Sequence, residues 1–304
     1  MFKKATRKQA KLRLMINAPS GSGKTYSALL LAKGIGGRVA LLDTENDSAS
    51  LYANEFEFDT VSLKPPYTPE RFVEIIKAAE SEGYDILVID SASHEWTGSG
   101  GCLDINEHYA ATKFRGNTWS AWSETTPRHR LFIDAILQSS MHIIVTTRAK
   151  TETTQGENKK ILKLGLKPEQ RDGFEYEFTV ALDIVHSNHA AIPTKDRTQL
   201  FSKDGVIVTQ QTGEMLLDWL NGGQSPKALV EEELVGLIAD ISRAKSREEM
   251  SEPYKQALKI AQPYEDLVAQ LKELTISRGK EIESAAKQTT GNGYDLNPGF
   301  KAQA

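Results

Sequence analysis

The segment Ala18-Pro-Ser-Gly-Ser-Gly-Lys-Thr25 constrains the fold more than any other part of the chain. It follows a short aliphatic run, residues 12–17, and precedes an apolar pattern of helical spacing that continues to Lys33. A short run that is aliphatic on both faces is typical of a buried parallel strand. The order of strand, small-residue turn and helix therefore predicts a β–loop–α unit, with a helix N-terminus directed into the loop.

This turn has the spacing of a phosphate-binding loop, with Ala18 where the first glycine is usual. Small residues let the backbone N–H groups turn inward around phosphates. Lys24 is expected to reach the β- and γ-phosphates, and Thr25 to offer its hydroxyl to Mg²⁺. We therefore predict that ATP binds with Mg²⁺ through the consecutive residues Ala18, Pro19, Ser20, Gly21, Ser22, Gly23, Lys24, Thr25 and Tyr26.

A second aliphatic run, Ile86–Asp90, ends in a carboxylate. The carboxyl ends of parallel strands line one crevice, and Mg²⁺ prefers oxygen ligands. We expect Asp90 to hold Mg²⁺ through water, opposite Thr25. The next residue is Ser91 and not glutamate, so a base that activates water has to come from another segment.

Glu45 is the first candidate for that base. It follows the aliphatic run Val39–Asp43, which predicts a strand that ends in the same crevice. A carboxylate at this position can orient and activate an attacking water. Asp43 is expected to position Glu45 or Mg²⁺, and Glu95 is the alternative candidate for the base.

Short aliphatic runs alternate with helical patterns, which predicts an α/β sheet covered on both faces. Residues 148–173 are polar and lack periodicity, which predicts a long loop. Three later runs predict an antiparallel extension of the sheet, closed by a helix over 213–220. The predicted strands are 12–17, 38–43, 85–90, 142–147, 176–185, 190–194 and 205–209, and the other predicted helices are 24–33, 68–83 and 126–139.

The segment Asn221–Ser225 is glycine-rich and predicts a linker. It separates an ATPase domain over 1–222, with a basic N-terminal arm, from a helical appendage over 223–285. Residues 286–304 are expected to form an unstructured tail.

The net charge of −4 hides a gradient along the chain. Nine basic residues precede Asp43, the first acidic residue, so the rest of the chain carries −13. Such asymmetry is compatible with a surface that meets a polyanion and with a solvated arm. The single cysteine, Cys102, excludes an internal disulfide and fits a reducing cytoplasm. We find no membrane-spanning run, no secretory signal and no histidine spacing for a metal other than Mg²⁺.

Three segments together resemble the core of RecA-type recombinases: Val39–Ala49, Ile86–Ser93 and Ile143–Arg148. In this order they are most similar to the RecA-like ATPases that phages encode for single-strand annealing and recombination. The resemblance covers roughly residues 10–220 and implies a P-loop core with a mainly parallel sheet. It implies Glu45 as the catalytic base and Thr147 as the γ-phosphate sensor, with Arg148 as the alternative sensor.

The resemblance also implies two DNA-contacting loops, at about Trp96–Trp122 and 148–173. The first combines aromatic residues with cations, and the second is rich in lysine and arginine. Such a composition suits single-stranded DNA, because bases stack on aromatic rings and phosphates attract cations. A homo-oligomer with nucleotide at the subunit interface is implied, and Lys167 and Arg197 are the candidates for a cation that reaches a neighbour's nucleotide.

These observations predict a Mg²⁺-dependent ATPase that binds single-stranded DNA and acts in phage-type recombination or annealing. Two alternatives stay open. A small-molecule or nucleoside kinase would share the phosphate loop and use residues 148–173 as a lid. A nucleotide-gated loader or accessory module would bind ATP with little turnover.

Overall fold

The structure is a computed structural model that describes Arg7, residues 9–155 and residues 161–290. The side chains of residues 151–166, 226 and 285–290 lie outside that description. The described residues divide into two compact units. One is Ala10–Gly222, and the other joins Arg7 and Gln9 to the residues from Gly223 onward.

The unit Ala10–Gly222 is built around a nine-stranded sheet in the order β3-β2-β4-β5-β1-β7-β8-β9, with β6 paired to β5. Strand pairs from β3 to β7 are parallel, whereas β8, β9 and β6 pair antiparallel with their neighbours. The strands are β1 Arg13–Ala18, β2 Val39–Asp43, β3 Asp59–Ser62, β4 Ile86–Asp90, β5 His142–Gln155, β6 Ile161–Pro168, β7 Val180–Ile184, β8 Ala190–Asp196 and β9 Val206–Ile207.

Helices cover both faces of this sheet. One face packs against α1 and α6, with Leu29 and Leu216 in the core, and the other packs against α2 and α5, with Phe72 and Phe132. The sheet and helices confirm the predicted α/β fold with a mainly parallel sheet. The helices are α1 Lys24–Ile35, α2 Pro69–Ser81, α3 Ser93–Thr97, α4 Cys102–Thr112, α5 Thr118–Gln138 and α6 Gln210–Asn221.

The predicted loop over 148–173 is wrong. β5 continues to Gln155 and pairs antiparallel with β6 from Ala149↔Pro168 to Gln155↔Ile161, so most of the described part of this segment is strand. Leu162, Leu164 and Leu166 alternate with Lys163, Gly165 and Lys167, a period of two that is typical of a strand. The partner segment after Arg148 is polar and has no such pattern.

The predicted loop Trp96–Trp122 is also wrong, because it consists largely of α3, α4 and the start of α5. Its glycines lie in two short connections, Gly98, Gly100 and Gly101 between α3 and α4 and Gly116 between α4 and α5. A Cβ on Gly101 would lie 2.6 Å from the carbonyl oxygen of Glu95, so a side chain at this position would collide with backbone. Glycine is needed at this position because the backbone of α3 approaches it closely, and not because the segment is a mobile loop.

Arg13 changes the interpretation of the N-terminal charge. The residue is 7% exposed, and its guanidinium donates to the carbonyl oxygens of Leu12 and Met141 at 2.8 Å each and of Leu137 at 3.2 Å. Burial lowers its pKa to about 10. This cation joins β1 to the connection between α5 and β5, so part of the basic gradient is structural.

The second unit contains α7 Pro226–Arg243, α8 Arg247–Ala261 and α9 Glu265–Thr290. Leu234, Ile241, Met250 and Leu271 form its core. Ser225 and Ser246 cap α7 and α8 by accepting from the N–H groups of Ala228 at 3.1 Å and Glu249 at 3.2 Å. A helical C-terminal region is therefore present.

The domain boundaries at 222 and 285 stay predictions. Arg7 and Gln9 pair with Gln224 through backbone hydrogen bonds of 2.7 and 2.9 Å, which groups them with the helical unit and not with the α/β unit. Helix α9 extends to Thr290, past the predicted start of the tail, and residues 291–304 lie outside the described part of the chain.

Candidate functional site

The predicted phosphate-binding loop connects β1 to α1. Gly21 and Gly23 have φ values of +76° and +86°, a backbone conformation that L side chains rarely adopt, so glycine is required at both positions. Ala18 is the last residue of β1 and is not among the positive-φ residues, so alanine fits where glycine is usual. Lys24 begins α1 and is 8% exposed.

Asp90 lies at the end of β4, directly opposite the first turn of α1. Its Oδ2 accepts from the Thr25 hydroxyl at 2.5 Å, and its Oδ1 accepts from the Thr146 hydroxyl. Burial raises the pKa of Asp90, against the opposing effects of the two threonines and of Lys24. A hydroxyl and a carboxylate are hard oxygen donors that fit Mg²⁺, so Thr25 and Asp90 could hold this ion.

Glu45 lies just beyond β2 and is paired with Arg148, which follows Thr147 in β5. The Nε of Arg148 donates to Oε1 of Glu45 at 2.9 Å. Burial favours the neutral carboxyl, but the hydrogen bond and charge of Arg148, together with the charges of Lys24 and His94, lower the pKa of Glu45. The carboxylate is therefore ionised beside the phosphate-binding loop.

Asp43 and His94 contact the segment of the chain that carries Glu45. Asp43 accepts from the N–H groups of Glu45 at 2.5 Å and Ala49 at 3.1 Å, so it positions the backbone after β2. The His94 Nδ1 lies 2.6 Å from the hydroxyl of Thr44, and burial and the charge of Arg148 lower the pKa of His94. Asp43 thus acts on Glu45 through the backbone.

The predicted sensor Thr147 is fully buried, and its hydroxyl donates to Oδ1 of Asn17 at 3.1 Å. Asn17 in turn donates to Asp183 on β7 at 2.9 Å. Its neighbour Thr146, which we did not predict, is the threonine that contacts Asp90. The two consecutive threonines at the end of an aliphatic run were the only sequence signal for this contact. Only the structure shows that the hydroxyl of Thr146, and not that of Thr147, contacts Asp90.

Glu95, the alternative base, is fully buried among other helices. It accepts from the Cys102 thiol at 3.0 Å and the Gln170 amide at 3.1 Å, and the His129 Nδ1 lies 3.0 Å away. The ligand-type atoms of Glu95, Cys102 and His129 lie within 4.8 Å of one another, and these hydrogen bonds account for that closeness. Burial raises the pKa of the Cys102 thiol, which keeps it a proton donor. Glu95 has no open face for an attacking water.

An aromatic pocket of about 650 Å³ joins the two segments predicted to contact DNA. Trp96 and Trp122 stack with ring centroids 5.4 Å apart, and the Arg171 guanidinium lies 5.7 Å from the Trp122 ring. Trp119 is 86% exposed at the rim. Lys150 and Lys167 also line the pocket, whereas the side chains of the other predicted lysines, Lys159, Lys160 and Lys163, lie outside the description.

Two further predicted residues lie apart from these groups. Tyr26 donates its hydroxyl to Glu55 at 3.0 Å and packs edge-on against Tyr52 and Phe56, so its ring is held by the segment after β2. Arg197 is exposed and follows β8.

The α/β unit matches a known protein family. The AAA domain family matches residues 10–211, nearly the whole α/β unit. The chain belongs to the AAA domain family. It is therefore a P-loop NTPase. No curated protein is significantly similar to the chain. None of the described helices of this AAA protein has the length and apolar character that crossing a membrane requires.

Proposed function

We propose that the protein is a Mg²⁺-dependent ATPase that couples hydrolysis to binding of single-stranded DNA, as in phage-type recombination or annealing. The observation that carries the proposal is the position of Glu45, which pairs with Arg148 and lies at the same sheet edge as Lys24, Thr25 and Asp90. A carboxylate near the phosphate-binding loop can accept a proton from water that attacks the γ-phosphate. The products are ADP and inorganic phosphate.

The roles of the remaining groups follow from their chemistry. Lys24 stabilises the β- and γ-phosphates as a point charge. Thr25 and Asp90 would hold Mg²⁺, which supplies positive charge to the phosphate oxygens when bound. Arg148 lowers the pKa of Glu45 through its hydrogen bond and its charge. Thr147 and Arg148 both remain candidates for the group that responds to the γ-phosphate.

The aromatic pocket supports single-stranded DNA as the partner. Its tryptophans offer stacking surfaces, and Lys150, Lys167 and Arg171 offer charge to phosphates. The pocket shares structure with the nucleotide site, because the N–H of Arg148 donates to Ser93 in α3 at 2.9 Å and α3 also carries Trp96. A ligand in the pocket would therefore act on the elements that hold Glu45.

The homo-oligomer is part of the same proposal. A cation from a neighbouring copy would complete the charge around the γ-phosphate. Lys167 pairs with Asp172 at 2.8 Å on the pocket rim, whereas Arg197 is exposed at the end of β8 and outside that pocket. Arg197 is therefore the better of the two candidates.

The deciding experiment measures ATP hydrolysis with and without single-stranded DNA. We expect DNA to stimulate turnover of the wild type, and Lys24→Ala to weaken nucleotide affinity by about tenfold or more, because a charge-assisted contact to phosphate is lost. Hydrolysis indifferent to DNA, together with an absence of salt-sensitive DNA binding, would refute the DNA assignment. ATP binding without turnover would refute the ATPase and favour a nucleotide-gated module.

Arg148→Gln should move the acidic limb of the pH–kcat/KM profile to higher pH. In the wild type Arg148 lowers the pKa of Glu45 against the opposing effect of burial. Without that cation, burial is opposed only by the charges of Lys24 and His94, so the pKa of Glu45 rises and the carboxylate is protonated at a higher pH. Lys150→Gln, on the same strand but exposed, is the control and should leave the limb in place. A uniform loss of rate at every pH would show that Arg148 does not act through Glu45.

A further inference from the structure

The turn between β7 and β8, residues 185–189, lies against the phosphate-binding loop. β7 runs parallel to β1 with Asp183 opposite Asn17, so both strands end at the same edge of the sheet. The turn is closed by the His189 N–H, which donates to the carbonyl oxygen of Val185 at 2.9 Å, and His189 has a φ of +55°. The strand register thus places a histidine-containing turn beside a loop of small residues.

Two imidazoles of this turn contact Ser22. The His189 Nδ1 lies 3.1 Å from the carbonyl oxygen of Ser22, and the His186 Nδ1 lies 3.2 Å from its hydroxyl. A carbonyl oxygen only accepts, so the His189 Nδ1 carries the proton and its Nε2 is an acceptor in the neutral ring. Ser22 itself is fully buried, whereas both histidines are exposed. The rings therefore anchor the loop on one side and face solvent on the other.

The position of the turn relative to the acidic groups indicates which end of a nucleotide it would face. Asp90, Glu45 and Thr146 belong to β4, to the end of β2 and to β5, all on one side of β1 in the sheet order. β7 lies on the opposite side of β1. In the proposed binding mode the γ-phosphate faces the acidic groups, which leaves the β7 side of the loop and the histidine turn for the sugar and base.

We propose that His186 and His189 form the nucleoside-facing wall of the nucleotide site and contact the ribose and base of a bound nucleoside triphosphate. The inference rests on the proposed binding of nucleotide at this loop. The acceptor Nε2 of His189 suits a ribose hydroxyl, and the face of an imidazole suits a base. The wall recognises the nucleoside part of the ligand, whereas Lys24 and the loop recognise its phosphates.

The test compares ATP with inorganic tripolyphosphate, which has the phosphates but no nucleoside. Affinities with Mg²⁺ are measured by titration calorimetry for the wild type, His186→Ala and His189→Asn. Asparagine tolerates positive φ, so His189→Asn leaves the turn unstrained. Ser187→Ala, on the same turn, is the matched control. We expect each histidine variant to weaken ATP binding about three- to tenfold more than it weakens tripolyphosphate binding, because the lost anchor on Ser22 affects both ligands and the lost nucleoside contact affects ATP alone.

Equal weakening for both ligands would overturn the wall, because the histidines would then act only by anchoring Ser22. Unchanged ATP affinity in both variants would overturn it as well. A wild type that binds neither ligand would refute nucleotide binding at the loop, and the wall with it. Failure of the proposed function is thereby distinguished from failure of the wall alone.

Discussion

Glu45→Gln is expected to lower the turnover number for ATP by about 10²- to 10⁴-fold, the usual contribution of a general base, with nucleotide affinity close to that of the wild type. Glutamine has nearly the same shape, and its amide oxygen can still accept from Nε of Arg148. It cannot accept a proton from water. The loss should therefore fall on kcat and not on ATP binding.

Steady-state hydrolysis and equilibrium binding of ATP together check this result. Asp47→Asn is the matched control, because Asp47 is an exposed acid on the same turn with a φ of +62° that asparagine tolerates. Its turnover should match the wild type. Wild-type turnover in Glu45→Gln would show that another group is the base. A loss of ATP affinity of the same size would place Glu45 in binding instead.

Trp119→Ala is expected to weaken binding of single-stranded DNA by about 5- to 100-fold, the range found when one base loses its stacking partner. Trp119 is 86% exposed, so its removal leaves the core intact. Because stacking involves no ion release, the slope of log affinity against log salt should stay the same. Fluorescence anisotropy with a labelled oligonucleotide at several salt concentrations measures both quantities.

Two other variants separate stacking from general effects. Ile207→Ala removes an apolar side chain that is 58% exposed on β9, away from the pocket, and should leave DNA affinity unchanged. Lys150→Gln should instead reduce the salt slope by about one, as expected for one lost phosphate contact. Wild-type affinity in Trp119→Ala would show that the pocket does not receive a base.

The phosphate-binding loop is predicted from local chemistry alone. Gly23, Lys24 and Thr25 are adjacent in the chain, so the phosphate-binding loop can be recognised without knowledge of what surrounds it. Asp90 ends an aliphatic run whose length already specifies a buried strand. Such features depend on backbone conformation and on the order of residues along one segment.

Contacts between segments that are far apart in the chain could not be predicted from the sequence. The pairing of Thr146 with Asp90, and of His186 and His189 with Ser22, depends on the strand order and on the register Asn17↔Asp183. The pairing of β5 with β6 could not be predicted because β5 is polar beyond Arg148 and shows no apolar alternation there. The assignment of Glu95 was decided by burial, which no single segment reveals.

The sequence by itself determined that this chain is an α/β protein with a phosphate-binding loop and a carboxylate at the end of a later strand. Only the tertiary structure decided that Glu45 faces Arg148, that Glu95 is enclosed by Cys102 and His129, and that Trp96 and Trp122 form one pocket with Arg171. The reason is physical. Side-chain periodicity and turn chemistry act over a few residues, whereas these groups are far apart in the chain and are brought together by the strand order and the packing of helices on the sheet.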